Sequence, residues 1–436
     1  MHITSSTVEK LLSIPPMTPA NTIRDDGLWT VQWKPCDYKE MKWVRGEEPR
    51  KRWLPVIVQL GTSKWHVTLA FEGSLHLDRV ARVGKTIRRQ DLVNLCLCLD
   101  FSRVQLLDDK VTELLIRRDG DTTPSPYQTD SSFPKIVLPW KTIPSPSSEY
   151  YPLHTKLRFC LREDPYHVRF PTLKHNNSIS TTPISQITKT CELSAGVYKV
   201  ELTSSNMPLV FKEIDRPMYM PQDSQVIDQE LQNLQLCQGL AGIVQLVATV
   251  VSQNPYQTTQ LDTGKTGAGG TKSSTVLRGI LLQYHCNGTL EAALQNTAPP
   301  IPRTTSPWWK WAVQIARALS HLHQRGITHM DVKTSNVVIS AEHDAVLIDI
   351  SGMGTTHEWL APEMLSISDP LSQSMDSRVR NDIWALGKLL RKMAYASYDK
   401  TERLRLGNIA SAATRDDPSS RMSLHDIISY LLEPLY

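Results

Sequence analysis

The stretch His329-Met330-Asp331-Val332-Lys333-Thr334-Ser335-Asn336 decides how this chain is interpreted. It places a carboxylate, an ammonium group and a carboxamide within six residues. A carboxylate can accept a proton, an ammonium group can neutralise negative charge, and an amide oxygen can bind a hard metal ion. Because His, Asp and Asn also cluster in ordinary turns, the octet needs support from the rest of the chain.

Four further motifs follow the octet in a fixed order. They are Asp-Ile-Ser at 349–351 after the apolar strand 345–348, Ala-Pro-Glu at 361–363, Asp-Ile-Trp-Ala-Leu-Gly at 382–387 and Pro-Ser-Ser-Arg at 418–421. With the octet, they resemble the H-R-D-L-x-x-x-N, D-F-G, A-P-E, D-x-W-x-x-G and P-x-x-R motifs of the eukaryotic-type protein kinase superfamily. In that family the last Arg, here Arg421, usually pairs with the A-P-E glutamate, here Glu363.

The resemblance implies a role for each polar residue of the first two motifs. Asp331 is expected to accept the proton of an attacking hydroxyl, and Lys333 to steady the charge of the moving phosphoryl group. Asn336 and Asp349 are expected to hold Mg²⁺. Lys333, two places after the Asp, is the arrangement typical of serine/threonine kinases.

Weaker marks of an ATP site lie upstream. Leu-Val-Phe-Lys at 209–212 fits the V-A-I-K strand, so Lys212 is expected to grip the α- and β-phosphates. Apolar residues recur at helical spacing in the stretch 226–234, which indicates an amphipathic helix. Glu230 on this helix is the expected partner of Lys212, with Asp228 as a rival.

A strand at 277–284 is expected to lead to the adenine site, with Leu282 as the gatekeeper residue. The resemblance assigns adenine contacts to the backbone of three residues, Gln283, Tyr284 and His285. Val197 is the expected valine of the nucleotide-binding strand that follows the phosphate loop. These assignments rest on the resemblance rather than on strand periodicity.

The glycine-rich phosphate loop of the family, G-x-G-x-x-G-x-V, is badly degraded here. Its glycines normally let backbone N–H groups approach the phosphates. Counting back from Val197, the glycine places hold Thr190, Glu192 and Ala195, and a shift by one puts Gly196 third. This departure argues for a pseudokinase, whereas the polar positions described above, which are all filled, argue for an active transferase. Loss of a glycine weakens catalysis by degrees, so the active enzyme is favoured.

Two departures bear on regulation. Met330 replaces the arginine that, in many kinases, an activation-loop phosphate must neutralise. The segment 349–363 is also very short, and it leaves almost no room for a regulatory phosphosite. Thr356, with Thr355 as a rival, is expected to contact the catalytic Asp and Lys. The sequence therefore predicts a kinase that activation-loop phosphorylation does not control.

The first part of the chain resembles no family known to us. Alternating apolar residues at 28–33, 53–60 and 65–71 predict strands, and 88–99 is either a helix or a strand. Tryptophans 29, 33, 43, 53 and 65 are expected to pack in the core of a small β-rich domain. The basic cluster at 45–52 is interpreted as a solvated loop or as a contact for an acidic protein partner.

These observations predict an α+β chain with a bilobal, protein-kinase-like fold preceded by a separate β-rich domain. The expected divisions are a flexible N-terminus at 1–26, the β-rich domain at 27–119, a Pro/Ser/Thr-rich linker at 120–180 and the kinase-like domain at 181–436. The interval from Asp382 to Arg421 is short, so helices of the large lobe are expected to be trimmed.

Composition is ordinary for a globular protein. The chain has 436 residues, of which 40% are hydrophobic, and a formal charge of +4, which is too small to indicate nucleic-acid binding. Seven scattered cysteines without a C-x-x-C pair indicate a reducing compartment. No run resembles a signal peptide or a membrane span. Cytoplasm or nucleus is therefore the expected location.

Overall fold

The computed structural model describes residues 21–24, 29–41, 48–75, 84–119, 136–173, 179–259, 275–295 and 307–433. The chain divides into two compact units. The first comprises Met1–His167 with Asn254–Ser274, and the second comprises Val168–Gln253 with Thr275–Tyr436. Most of the N-terminal stretch 1–26 lies outside the described residues.

The first unit is built on an eight-stranded sheet. Its strands are β1 Asn21–Arg24, β2 Trp29–Trp33, β3 Lys39–Glu40, β4 Lys51–Leu60, β5 Ser63–Glu72, β6 Val111–Arg118, β7 Ile136–Val137 and β8 Leu157–Glu163. The order is β1-β2-β4-β5-β6-β8-β7, and β3 pairs with β4. The helix α1, Lys85–Leu97, lies between β5 and β6 in the chain, and these two strands are parallel. The stretch at 88–99 is thus mainly helical.

One face of this sheet packs against α1. Leu54, Leu69 and Leu114 from the sheet are fully buried with Leu92 and Leu95 from the helix. Every second residue of a strand points to the same face, so the alternating pattern of the sequence supplies this core. Of the five tryptophans expected in the core, four are described, and three of them, Trp29, Trp33 and Trp65, pack in or against this cluster. Trp53 instead stacks on Tyr166 with ring centroids 6.3 Å apart.

Two of the three described basic residues of the cluster differ from both expectations, whereas Arg50 is exposed. Lys51 and Arg52 are buried, with relative exposures of 4% and 1%. Lys51 donates to Glu113 at 2.8 Å, and Arg52 is paired with the buried Glu48. A buried cation needs such a partner because desolvation is costly. These two residues are therefore structural and available to no partner, while residues 42–47 lie outside the described part.

Part of the expected linker belongs to the first sheet. Strand β8 pairs with β6 over seven residues, from Thr112–Glu163 to Arg118–Leu157. Leu157 and Phe159 are buried in the core that α1 covers. The prolines around them interrupt strand patterns, which explains why composition indicates a linker here.

A short segment from the middle of the chain completes the first unit. Thr258 and Asp109 bond reciprocally: the Thr258 amide donates to Asp109 Oδ1 at 2.9 Å, and the Asp109 amide donates to Thr258 Oγ1 at 2.8 Å. The amide of Lys64 also donates to the Thr258 carbonyl at 2.7 Å. Tyr256 lies with its ring edge-on to His66 at 5.3 Å. Residues 254–259 therefore act as a fixed edge of this unit.

The second unit begins with a six-stranded sheet. Its strands are β9 Thr181–Pro183, β10 Ile187–Ser194, β11 Val197–Leu202, β12 Ser205–Glu213, β13 Leu246–Gln253 and β14 Thr275–Gln283, in the order β10-β11-β12-β14-β13-β9. The helix α2, Pro221–Leu236, buries Ile227, Leu231 and Leu234 in the main core of this unit. These residues are the apolar stripe of the predicted helix. This sheet and α2 form the small lobe.

The large lobe of the second unit is helical. It contains α3 Leu290–Leu294, α4 Trp308–His323, α5 Pro362–Leu365, α6 Met375–Ala396, α7 Lys400–Ala413 and α8 Leu424–Leu432, with a two-stranded sheet of β15 Val337–Ile339 and β16 Ala345–Leu347. Helices α6 and α7 are separated by only three residues, 397–399, which agrees with a trimmed lobe. The predicted fold, a β-rich region followed by a bilobal α+β domain, is confirmed. None of the helices in the described part is both long and apolar enough to cross a lipid bilayer.

Replacing Arg52 tests the buried pair of the first unit. Arg52→Ala leaves the Glu48 carboxylate buried without its cation, and we expect a loss of about 3–5 kcal/mol in the free energy of unfolding. The control is Lys110→Ala, which breaks an ion pair to Glu163 whose lysine is 52% exposed. This control should cost less than about 1 kcal/mol. Urea unfolding followed by tryptophan fluorescence measures both, and equal small losses would contradict the interpretation.

Candidate active site

A buried carboxylate shapes the loop at 329–336. Asp382 on α6 accepts the amide of His329 at Oδ2 and that of Met330 at Oδ1, both at 2.8 Å. Its Oδ2 also lies 2.9 Å from Nε2 of His323 on α4. Met330 has a φ of 62°, a left-handed backbone conformation that residues other than glycine rarely adopt. The hydrogen bonds from two backbone amides to one fully buried carboxylate hold the loop in this conformation.

The loop brings three of the predicted site residues together. Lys333 Nζ donates to Asp331 Oδ2 at 2.7 Å, and Asn336 Nδ2 donates to the same oxygen at 3.1 Å. Lys333 also donates to Thr356 Oγ1 at 2.9 Å, whereas Thr355 is exposed. The second carboxylate oxygen, Asp331 Oδ1, is buried and has no hydrogen-bond partner among the described residues. It is a free acceptor in the middle of the cluster.

Lys212 joins the two lobes at the site. Strand β12 ends near this lysine, whose Nζ donates to Asp349 Oδ1 at 2.7 Å and to Glu230 Oε2 on α2. Asp228, the rival, instead accepts from Gln232 one turn along the same helix. Glu230 is fully buried, and it is this inward-facing glutamate that pairs with Lys212.

Burial and charge act in opposite directions on this triad. Burial alone would lower the pKa of Lys212, but the carboxylates of Asp349 and Glu230 outweigh it and raise the pKa. Partial burial would raise the pKa of Asp349, and the adjacent Lys212 holds that pKa below its ordinary value. For Glu230 burial prevails and raises the pKa despite the lysine. The lysine therefore stays charged and Asp349 stays anionic at neutral pH.

Asn336 and Asp349 suit a hard cation. The amide nitrogen of Asn336 donates to the carbonyl and the carboxylate of Asp331, so its oxygen is the end left for a ligand. The backbone carbonyl of Asn336 accepts a hydrogen bond from the backbone amide of Ile348 at 3.1 Å. This contact places Asn336 beside the segment that leads to Asp349. Asp349 uses one oxygen for Lys212 and is 45% exposed. One carboxylate and one amide oxygen match Mg²⁺ when phosphates supply further ligands.

The degraded phosphate loop is a tight hairpin. Strands β10 and β11 pair as far as Ser194 and Val197, so only Ala195 and Gly196 form the turn. Gly196 has a φ of 77°, and a Cβ at this position would lie 2.5 Å from the Cβ of Arg216. This glycine is required by the turn itself. Strand β10 itself contains no glycine, so every residue along it has a side chain that limits the approach of phosphates to the backbone N–H groups.

Strand register decides which side chains of the hairpin face Lys212. Val197 is the direct cross-strand partner of Lys212, so both lie on the same face of the sheet. Glu192 pairs with Tyr198, which in turn pairs with Phe211, and these three share the opposite face. The carboxylate of Glu192 therefore does not confront the site, and the repulsion that its position in the sequence suggests is avoided.

The strand at the expected adenine site is β14, which ends at Gln283. Leu282 is buried, and His285 is half-buried with its pKa lowered by burial. Sequence reasoning missed Lys199, which shares the face of Val197 and places its Nζ 4.8 Å from the ring centroid of Tyr284. No motif marks this lysine, and only the pairing of Lys199 with Val210 reveals its direction.

The expected pair in the large lobe is present. Arg421 donates to both oxygens of Glu363, at 2.6 and 2.7 Å. The guanidinium also lies 4.9 Å from the ring centroid of Trp384 on α6. This bidentate contact fixes the segment that follows Thr356 against the end of the domain.

The fold and the site define a protein kinase-like domain. In agreement, residues 193–399 match the protein kinase domain family. This match covers just under half of the chain, and it supports assigning residues 193–399 to the eukaryotic protein kinase superfamily.

Several curated relatives are serine/threonine kinases by name. The chain is 27% identical over 150 residues to probable serine/threonine-protein kinase iksA of Dictyostelium discoideum, covering 27% of this chain and 15% of that protein. It is 28% identical over 159 residues to mitogen-activated protein kinase kinase kinase 17 of Arabidopsis thaliana, covering 34% and 38%. It is 36% identical over 123 residues to serine/threonine-protein kinase kin-29 of Caenorhabditis briggsae, covering 26% and 14%. The chain thus spans well under half the length of each of these relatives.

Asp382→Asn tests the anchor of the loop. An amide offers one oxygen where the carboxylate offers two, so one of the two loop amides loses its acceptor. We expect faster hydrogen exchange at His329 and Met330 and a loss of roughly 2–4 kcal/mol in the free energy of unfolding. The control on the same helix is Asp376→Asn, because Asp376 is 74% exposed and, within the described residues, its ion pair is with Arg380. Exchange at the loop that does not change would argue against this role of Asp382.

Proposed function

We propose that this protein is an ATP- and Mg²⁺-dependent serine/threonine protein kinase. The observation that carries the proposal is Asp331 Oδ1, a buried acceptor beside Lys333 and Asn336 that has no partner in the described part of the chain. The other carboxylate oxygen is already engaged, so the free one is available for the hydroxyl proton of a substrate. The kinase names of the relatives support the class of reaction.

Each residue of the site has one task in this proposal. Lys212, kept charged by Glu230 and Asp349, binds phosphate oxygens of ATP at the end of β12. Asn336 and Asp349 hold Mg²⁺, which when bound neutralises the phosphate charge. Gln283, Tyr284 and His285 are the expected backbone contacts of adenine, and Val197 lies on the sheet face shared with Lys212.

Asp331 takes the proton as the substrate oxygen bonds to the γ-phosphorus atom, and the bond to the ADP oxygen breaks. Lys333, 2.7 Å from Asp331, donates to the phosphoryl group as its charge moves. Thr356 orients this lysine through its hydroxyl. Catalysis in this reaction class is mostly positioning and neutralisation of charge, which these contacts supply.

The proposed kinase needs no activation-loop phosphate. Met330, which stands where many kinases have an arginine, is buried and its sulfur lies 3.9 Å from Nδ2 of Asn381. It offers no cation for a phosphate to neutralise. Trp359 in the short segment is buried as well, so the segment is held by packing.

A second candidate is a pseudokinase that binds nucleotide weakly or not at all and serves as an interaction module. The hairpin of β10 and β11 favours it, because the turn retains a single glycine and β10 is exposed over nearly all its length. In either case the β-rich first unit is a candidate site for a protein partner. All seven cysteines are free, which supports a reducing cytoplasmic or nuclear setting.

Label transfer from γ-labelled ATP to a generic protein substrate in the presence of Mg²⁺ tests the proposal. Asp331→Asn should reduce the rate by about 10²–10⁴-fold because the proton acceptor is lost. Asp228→Asn on α2 is the matched control and should transfer at the wild-type rate. Equal transfer by wild type and Asp331→Asn would exclude catalysis by this site. Stabilisation of the fold by ATP without any transfer would favour the pseudokinase.

Acidic substitutions test the independence from phosphorylation. Thr355→Glu should leave the transfer rate close to that of the wild type, since no arginine follows His329 to receive the charge. Thr356→Glu should lower the rate, because the hydroxyl that orients Lys333 is lost. The same transfer assay measures both variants. Clear activation by either substitution would overturn the expectation.

A further inference from the structure

Two lysines of α6 stand beside the segment that carries Thr356. Lys388 and Lys392 are one helical turn apart, and the Nζ of each lies 5.6 Å from the ring centroid of Trp359. Trp359 ends the short turn that begins after Thr356, the residue that contacts Lys333. The two ammonium groups therefore lie beside Trp359, which follows Thr356 by three residues in the chain.

The charge of this pair is not balanced locally. Within the described ranges, neither lysine has a carboxylate at salt-bridge distance, and the ammonium group of Lys388 donates only to the Glu358 carbonyl. Nearby arginines of the same lobe behave differently, since Arg380 pairs with Asp376 and Arg421 with Glu363. Among the described residues, Lys388 and Lys392 therefore lack the carboxylate partners that these two arginines have, and the side chain of Lys392 is exposed.

A cavity adjoins the second lysine. It has a volume of about 340 Å³ and is lined by Lys392, Thr334, Leu294, Tyr395 and Glu291, among others. Thr334 directly follows Lys333, so the cavity reaches the catalytic loop. Tyr395 near the end of α6 is 80% exposed. Glu291 is the one acidic residue among the described residues that line the cavity.

We propose that Lys388 and Lys392 select acceptor proteins that carry an anionic side chain, a carboxylate or a phosphate, close to the phosphorylated Ser or Thr. This inference rests on the proposed function, since it concerns the substrate of the same site. A peptide that presents its hydroxyl to Asp331 passes along the segment of Thr356, where the two ammonium groups lie. An anion there gains attraction, while a basic side chain meets uncompensated positive charge.

Peptides that differ only in charge test the inference on the full-length protein. One neutral series carries a single Ser, and matched peptides carry Asp, phosphoserine or Lys on either side of it. For the anionic peptides we expect kcat/KM to exceed that of the neutral peptide by about three- to fivefold, mainly through KM, with the advantage shrinking as salt is added. A comparison of kcat/KM between the Asp peptides and the phosphoserine peptides shows whether the site prefers a carboxylate or a phosphate.

Substitution of Lys392 should abolish the preference for anionic peptides. Lys392→Glu is expected to bring the ratio of anionic to neutral peptide to one or below, and Lys392→Gln to reduce it. Lys85→Glu at the start of α1 makes the same change of net charge and should keep the wild-type ratio. A ratio in Lys392→Glu equal to that of the wild type would overturn the inference, and so would a preference of the wild-type protein for the Lys peptides.

Binding without catalysis separates this inference from the proposed function. The same peptides with Ala in place of the acceptor Ser can be titrated by fluorescence polarisation. Tighter binding of anionic peptides that Lys392→Glu removes supports the inference even if no phosphate is transferred. Equal affinity of all peptides for the wild type would reject it, whereas label transfer to the neutral peptide would leave the kinase proposal intact.

Discussion

The carboxylate of Asp382 is the contact on which the rest of the site depends. It is fully buried, and both of its oxygens accept amides from the loop that carries the polar cluster. A left-handed residue such as Met330 costs of order 1–3 kcal/mol and persists only when its surroundings hold it. Asp382 lies on α6, the longest described helix of the unit, so the packing of this helix in the core also fixes the position of the loop. Asp331, Lys333 and Asn336 meet within hydrogen-bond distance as a consequence of this anchoring.

A second constraint acts through Lys212. Its ammonium group bridges a carboxylate from α2 and one from the start of the short segment, so small-lobe and large-lobe elements converge on one cation. Glu230 has no other partner for its second oxygen among the described residues, and burial raises its pKa. The triad is thus held together by charge against the cost of burial, which is the balance expected of a group prepared to bind a highly charged ligand.

The sequence could predict those parts of the molecule in which residue type and spacing determine position. The octet, Asp349 and the pair of Glu363 with Arg421 were found by motif. Strand and helix periods located β4 and α2, the helix that carries Glu230. It could not predict contacts that depend on register or long-range pairing. Composition makes Lys51 and Arg52 appear solvated, although they are buried by partners 62 and 4 residues away. Likewise, only the register of β10, β11 and β12 shows that Glu192 turns away and that Lys199 turns inward.

The reciprocal bonds between Thr258 and Asp109 have a consequence for biosynthesis. The first unit is discontinuous, since its last edge is encoded after the strands β9 to β13 of the second. As a ribosome releases the chain from its N-terminus, Asp109 emerges long before the residue that completes its hydrogen bonds. Until then the Lys64 amide and the Asp109 backbone face water. The first unit therefore cannot be complete until strands β9 to β13 of the second have been translated, and a single cut in the chain cannot yield both units intact.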